Sequence, residues 1–184
     1  DGTTAGAQDL TLSAGTGNIT LGAPAGQNVA LGQITIQSAT DVSLQNVQAS
    51  GLKQEAGTGI TTLAGAVTTT GAAGVNLKGK ELRIEKLVMT QSSGGVAINH
   101  TGTVTILGDG DIQSDGAVSI SAAAISTAGD IQTTNDDITL TGVTTLTGSI
   151  TLATGTGAGD IKLNSTIDGT TAGAQDLTLS AGTG

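Results

Sequence analysis

The chain has 184 residues, 30 of them Gly, 33 Thr, 24 Ala and 13 Ser, no Phe, Tyr, Trp or Cys, one Pro (Pro24), one His (His100), and a net charge of −9 with six basic residues. The composition excludes a disulfide framework and thiolate chemistry, a histidine metal cluster, a helical membrane span and an aromatic platform for bases or sugars. The shortage of Lys and Arg speaks against nucleic acid as a partner.

In chain order, short alternating segments dominate. The triplet apolar–x–apolar occurs at Leu10–Leu12, Ile19–Leu21, Val29–Leu31, Ile34–Ile36, Val42–Leu44, Val75–Leu77 and Leu82–Ile84. It continues at Val96–Ile98, Val104–Ile106, Val118–Ile120, Ile138–Leu140, Ile150–Leu152, Ile161–Leu163 and Leu177–Leu179. Alternation of period two predicts strands with one buried face. The middle residue is Thr or Ser in nine of the fourteen triplets, as suits an exposed strand position where a β-branched side chain is stiff. Gly punctuates the gaps and supplies the conformations that tight corners need. Thr and Gly, both poor helix formers, argue against an all-helical chain. The charged stretch from Lys78 to Leu87 could form a short helix, but its Leu82/Ile84 alternation favours a strand with a charged outer face.

Two longer periods lie over this pattern. Gly110-Asp111-Ile112-Gln113 recurs as Gly129-Asp130-Ile131-Gln132 and then as Gly148-Ser149-Ile150-Thr151, each time 19 residues on. A period near 20 indicates a solenoid whose turns stack on one another. Residues 1–17 and 168–184 are both DGTTAGAQDLTLSAGTG. The chain therefore reads as one continuous solenoid segment, with 1–167 one long repeat and 168–184 the start of the next identical unit. The expected fold is all-β: a single-stranded, right-handed parallel β-helix with three short strands per turn and about 20 residues per turn. Ile112, Ile131 and Ile150 are expected in one stacked column. Each turn climbs about 4.8 Å, so a unit of about eight turns rises on the order of 40 Å. One turn cannot bury a core alone, so stability must come from stacking.

The phrases LTLSAGTGNITL (10–21), AVSISAAAISTAGDIQ (117–132) and GSITLATGTGAGDIKL (148–163) resemble the repeats of filamentous-haemagglutinin-like bacterial surface adhesins. The likeness covers most of the chain and is thinner over 52–95. It implies a secreted, extracellular or cell-surface structural fibre, whose repeats act as a rigid stalk for adhesive regions elsewhere. Partners would be further copies in tandem, homotypic lateral or end-to-end contacts, and a host or neighbouring-cell surface met through other regions. The opening residues carry neither a charged n-region nor an apolar h-region, so targeting information is expected outside this segment.

Candidate sites are few. Asp111 and Asp130 occupy equivalent places in adjacent turns, and two carboxylates that close repel unless a cation lies between them. Asp136, Asp137 and Asn135 could add oxygens, which makes calcium the one cofactor to consider. Against it, the carboxylates serve as solvated turn residues, and the calcium-binding nonapeptide repeat is absent. Five of the six basic residues lie between Lys53 and Lys86, a contact patch for an acidic neighbouring rod or ordinary exposed charge. His100 reads as a surface residue. Sequons at Asn18, Asn99 and Asn164 are close to chance in a chain so rich in Ser and Thr. No catalytic constellation is present, so no enzyme is expected. A carbohydrate-active or ligand-binding helix, including an ice-binding one, is the alternative. Ice binding would need a regular Thr column, and Thr68–Thr70 and Thr103–Thr105 stand isolated.

Overall fold

The computed structural model describes residues 1–183. They form nineteen strands and no helix. In chain order these are β1 (Leu10–Ser13), β2 (Ile19–Leu21), β3 (Leu31–Ser38), β4 (Val42–Leu44), β5 (Val47–Gln54), β6 (Ile60–Leu63) and β7 (Val67–Gly79). There follow β8 (Glu81–Ile84), β9 (Val88–Thr90), β10 (Val96–His100), β11 (Thr103–Ile106), β12 (Ile112–Ser114) and β13 (Val118–Thr127). The last are β14 (Ile131–Thr133), β15 (Ile138–Leu146), β16 (Ile150–Ala153), β17 (Ile161–Leu163), β18 (Ile167–Gly169) and β19 (Leu177–Ser180). Every pairing is parallel and joins one turn to the next, giving a β-solenoid of about 8 turns with roughly 21 residues per turn.

Three faces follow from the register. The first stacks Leu10, Ile34, Leu52, Val75, Val96, Val118, Ile138 and Ile161. The second stacks Ile19, Val42, Thr61, Leu82, Val104, Ile125, Thr144 and Ile167. The third stacks Val47, Val67, Val88, Ile112, Ile131 and Leu152. Long strands such as β5, β7, β13 and β15 run across a corner and serve two faces, with a register shift where they bend. Gly74 sits at one such bend with φ +56, and a Cβ there would collide with the carbonyl oxygen of Gly95. The chain turns there because no side chain stands in the way of the neighbouring turn.

The core is one continuous aliphatic column. Ile34, Ile36, Leu44, Leu63, Leu77, Ile84, Ile106, Ile120 and Ile131 are fully buried. The flanking residues of the triplets that fall within strands point inward, whereas Val29 lies in the loop before β3 and the expected Val29–Leu31 strand contributes only Leu31. The stretch from Lys78 to Leu87 contains a strand, β8, in which Leu82 and Ile84 face the core.

Two expectations are corrected. Ile112 does stack on Ile131, but Ile131 stacks on Leu152 and not on Ile150. The turn from Ile131 to Leu152 is two residues longer than the one before it. Ile150 keeps its inward direction, because a shift of two preserves the face, and pairs with Leu177 instead. The longer turn brings Thr154 into the buried hydroxyl series described below. His100 is not a surface residue: it is 2% exposed. Along β10 the burial alternates, and Val96, Ile98 and His100 share the inward parity.

Candidate functional site

The third face has its own inward pattern. Its strands read aliphatic–x–hydroxyl: Val67-Thr-Thr69, Val88-Met-Thr90, Ile112-Gln-Ser114, Ile131-Gln-Thr133 and Leu152-Ala-Thr154. The hydroxyl residues are buried next to the corner, where the turning backbone leaves carbonyls without a strand partner. Thr154 donates to the Gly159 carbonyl at 2.8 Å and Ser114 to that of Gly94 at 3.2 Å. Thr90 bonds Gly94, and Thr133 bonds the carbonyl of Asp136. At the other corners Thr127 donates to Gly129 and Thr144 to Gly142, both at 3.1 Å. Buried backbone polar groups must be paired, and here Thr and Ser pair them from inside. Thr69 is the exception, with its buried hydroxyl unpartnered. The exposed reading of Thr missed this set; apolar–x–Thr/Ser at the same spacing is the signal that finds it.

Outside this corner lies an open groove of about 470 Å³, lined by Met89, Gln91, Gln113, Asp115, Gln132 and Thr134 among others. Gln113 stacks on Gln132 along its floor. Asp115 accepts the N–H of Ser93 at 2.8 Å and the hydroxyl of Thr134 at 3.0 Å. These donors, the Ser93 N–H foremost, hold its carboxyl below the usual carboxylate range. Ser92 and Ser93 both adopt positive φ, 55° and 61°, and the Asp115 bond secures that conformation. The groove offers amides, hydroxyls and one engaged carboxylate.

Three of the four calcium candidates are engaged by backbone. Asp111 Oδ1 accepts the N–H of Asp130 at 2.9 Å, and Asp130 Oδ1 accepts that of Thr151 at 2.7 Å. Asp137 accepts the N–H of Asp160 at 2.9 Å and the ammonium of Lys162 at 2.7 Å, and its carboxyl is correspondingly lowered. Asp136 is exposed. The same device recurs at Asp9 to Gln33, Asn18 to Asp41, Asp41 to Ile60 and Asn46 to Ala66. No three carboxylate, His or Cys groups converge among the described residues. Of the other sequon residues, Asn164 donates to Thr141 at 3.2 Å and Asn99 is exposed.

The basic cluster straddles the first and second faces. Lys53 pairs with Glu55 at 2.9 Å, Arg83 with Glu85 at 2.6 Å and Lys86 with Asp109 at 2.6 Å. Exposed pairs of this kind contribute little to stability, but they neutralise much of the patch. His100 lies inside, beside Gly79: a Cβ on Gly79 would stand 3.2 Å from His100 Nε2 and 3.4 Å from Gln54 Nε2. Neither ring nitrogen has a partner, and burial pushes the imidazole down to about 4.

On the second face the outward column runs Thr20, Ser43, Thr62, Arg83, Thr105, Ser126 and Thr145. The rank beside it is irregular, with Ile60, Glu81, Thr103, Ala124 and Val143. No protein-family model, curated protein or solved structure matches the chain.

Proposed function

We propose that this chain is a structural repeat segment of an exported bacterial surface fibre or adhesin stalk, acting as a rigid, extended rod. The observation that carries the reading is the second copy of residues 1–17 at 168–184, set on a solenoid whose single core runs through all its turns. A unit whose end repeats its own beginning can be continued without a linker. The acidic surface and short corners fit a spacer better than a catalyst, which would need a walled cleft with converging acids and bases. Cell-surface location and tandem copies as partners follow from the same reading.

Electron microscopy of a chain containing two consecutive units tests it. A rod of uniform width that lengthens by on the order of 40 Å per unit is the expected image. Globular beads on linkers would refute the rod. Ice binding is a second reading, favoured by the hydroxyl column on the second face. Arg83 interrupts that column and the rank beside it is mixed, so thermal hysteresis by the purified chain is expected to be absent.

A further inference from the structure

The Leu-Thr-Leu strands of the two repeated copies lie on different faces. Leu10-Thr11-Leu12 pairs with Ile34-Thr35-Ile36 on the first face. Leu177-Thr178-Leu179 pairs with Ile150-Thr151-Leu152 on the third. The two copies nevertheless fold alike. Gln8 Oε1 accepts the N–H of Thr4 at 3.0 Å, and Gln175 Oε1 accepts that of Thr171 at 3.0 Å. Gly6 and Gly173 have φ of 72° and 70°, and Gly15 and Gly182 of 60° and 62°. The difference in position is therefore not a distortion of one copy.

It arises from the length of the unit. Seven successive pairings carry the first face from Leu10 to Ile161. The chain then passes the second face at β18 and reaches the third at β19. The interval from Leu10 to Leu177 is thus seven turns plus two of three faces.

We infer that, in a tandem array, each unit enters the rod one face out of step with the unit before it, so that three successive units display any surface feature in three different directions. This rests on the tandem-rod reading above. The next copy of Ile19-Thr20-Leu21 seats on the first face, against Ile161-Lys162-Leu163, and not on the second against Ile167 and Asp168. With about 4.8 Å per turn the rise per unit is about 37 Å, and the original face returns only after three units, or about 110 Å. The basic cluster around Lys78, Lys80 and Arg83 changes side with every unit. So does the hydroxyl column from Thr20 to Thr145, which is broken before it can form a long flat plane. A rod built this way presents its surface features all round, and can be met by like rods from three sides.

The chain itself tests the phase. Thr151 and Thr178 are opposed on adjacent strands, where a separation of about 4.8 Å lies in the range a disulfide spans. Thr151→Cys with Thr178→Cys is expected to close under mild oxidation, whereas Lys162→Cys with Thr178→Cys stays reduced. Closure of the second pair in place of the first overturns the inference, since it puts the repeated strand back on the first face. Cryo-electron microscopy of two consecutive units provides the independent arm. The expected map is a continuous rod with the second copy of Thr20 beside Lys162. A continuous rod with that residue beside Asp168 refutes the phase and leaves the rod intact. Beads on linkers refute the rod itself.

Discussion

Asp130 uses its own N–H to reach the carboxylate of Asp111 at 2.9 Å, and offers its carboxylate to the N–H of Thr151 at 2.7 Å. Each acid thus closes a backbone donor of the following turn, where the strand ladder has ended at a corner. Asp130→Ala is expected to cost about 1–2 kcal/mol by leaving the Thr151 N–H without its charged acceptor. Asp130→Asn should retain most of that stability, because an amide oxygen still accepts. Urea denaturation of the two variants measures the difference, and added calcium should leave the unfolding midpoint of the parent chain unchanged.

His100 gives a pH dependence of defined sign. Its folded pKa is about 4 against an ordinary 6.5, so the unfolded chain takes up the proton first. The stability conferred by a neutral buried ring is complete above pH 6.5 and is lost as pH falls towards 4, by about 3 kcal/mol in all. His100→Leu should flatten the stability profile between pH 6.5 and 4. The carboxyls of Asp115 and Asp137, lowered by hydrogen bonds, contribute stability that disappears only at lower pH. Denaturant midpoints measured from pH 7 to below the ordinary carboxylate value of 3.8 separate the two windows.

The buried hydroxyls divide into satisfied and unsatisfied. Thr154 donates to Gly159 at 2.8 Å, whereas the Thr69 hydroxyl has no partner. Thr154→Val is expected to destabilise by about 1–2 kcal/mol, and Thr69→Val to be neutral or to stabilise by about 1 kcal/mol, because it removes a buried polar atom that bonds nothing. Thermal or urea melts should show a lowered midpoint for Thr154→Val and an unchanged or raised one for Thr69→Val.

Two glycines make a similar contrast. At Gly74 a Cβ meets the backbone of Gly95 and φ is positive, while at Gly108 nothing lies within 4 Å. Gly74→Ala should cost several kcal/mol, whereas Gly108→Ala should be neutral or stabilise by about 0.5 kcal/mol through the unfolded chain. Equilibrium unfolding of both variants tests whether the corner at Gly74 admits any side chain.

The first and second faces were legible in the sequence because both inward positions of their strands are mostly aliphatic, as at Ile34/Ile36 and Leu82/Ile84. The third face was legible only in its aliphatic column, where Ile131 lies beneath Ile112, since its second inward position is Thr or Ser, a residue type that reads equally as exposed. The 19-residue recurrence of Gly-Asp-Ile-Gln suggested a constant turn, yet Leu10 to Ile34 spans 24 residues and Ile34 to Leu52 spans 18. Corners absorb the surplus, so spacing located Ile131 beneath Ile112 but misplaced Ile150. The parity of β10 put His100 inside, where it packs close against Gly79 of the neighbouring turn: a Cβ there would stand 3.2 Å from Nε2. The acids at 111 and 130 were found in register, but their partners are backbone donors, which no side-chain pattern reveals.

The parallel pairing of every strand with the turn above and below fixes how the rod answers to load. Its hydrogen bonds run along the rod axis, so a pull on the two ends loads the turns in series, one ladder at a time, and never shears all of them together. Extension should unspool the chain turn by turn from an end. Each event would release roughly 21 residues, or about 70 Å of extended chain in place of about 4.8 Å of stacked turn, making the solenoid a sacrificial spring that lengthens more than tenfold before its covalent backbone bears the force.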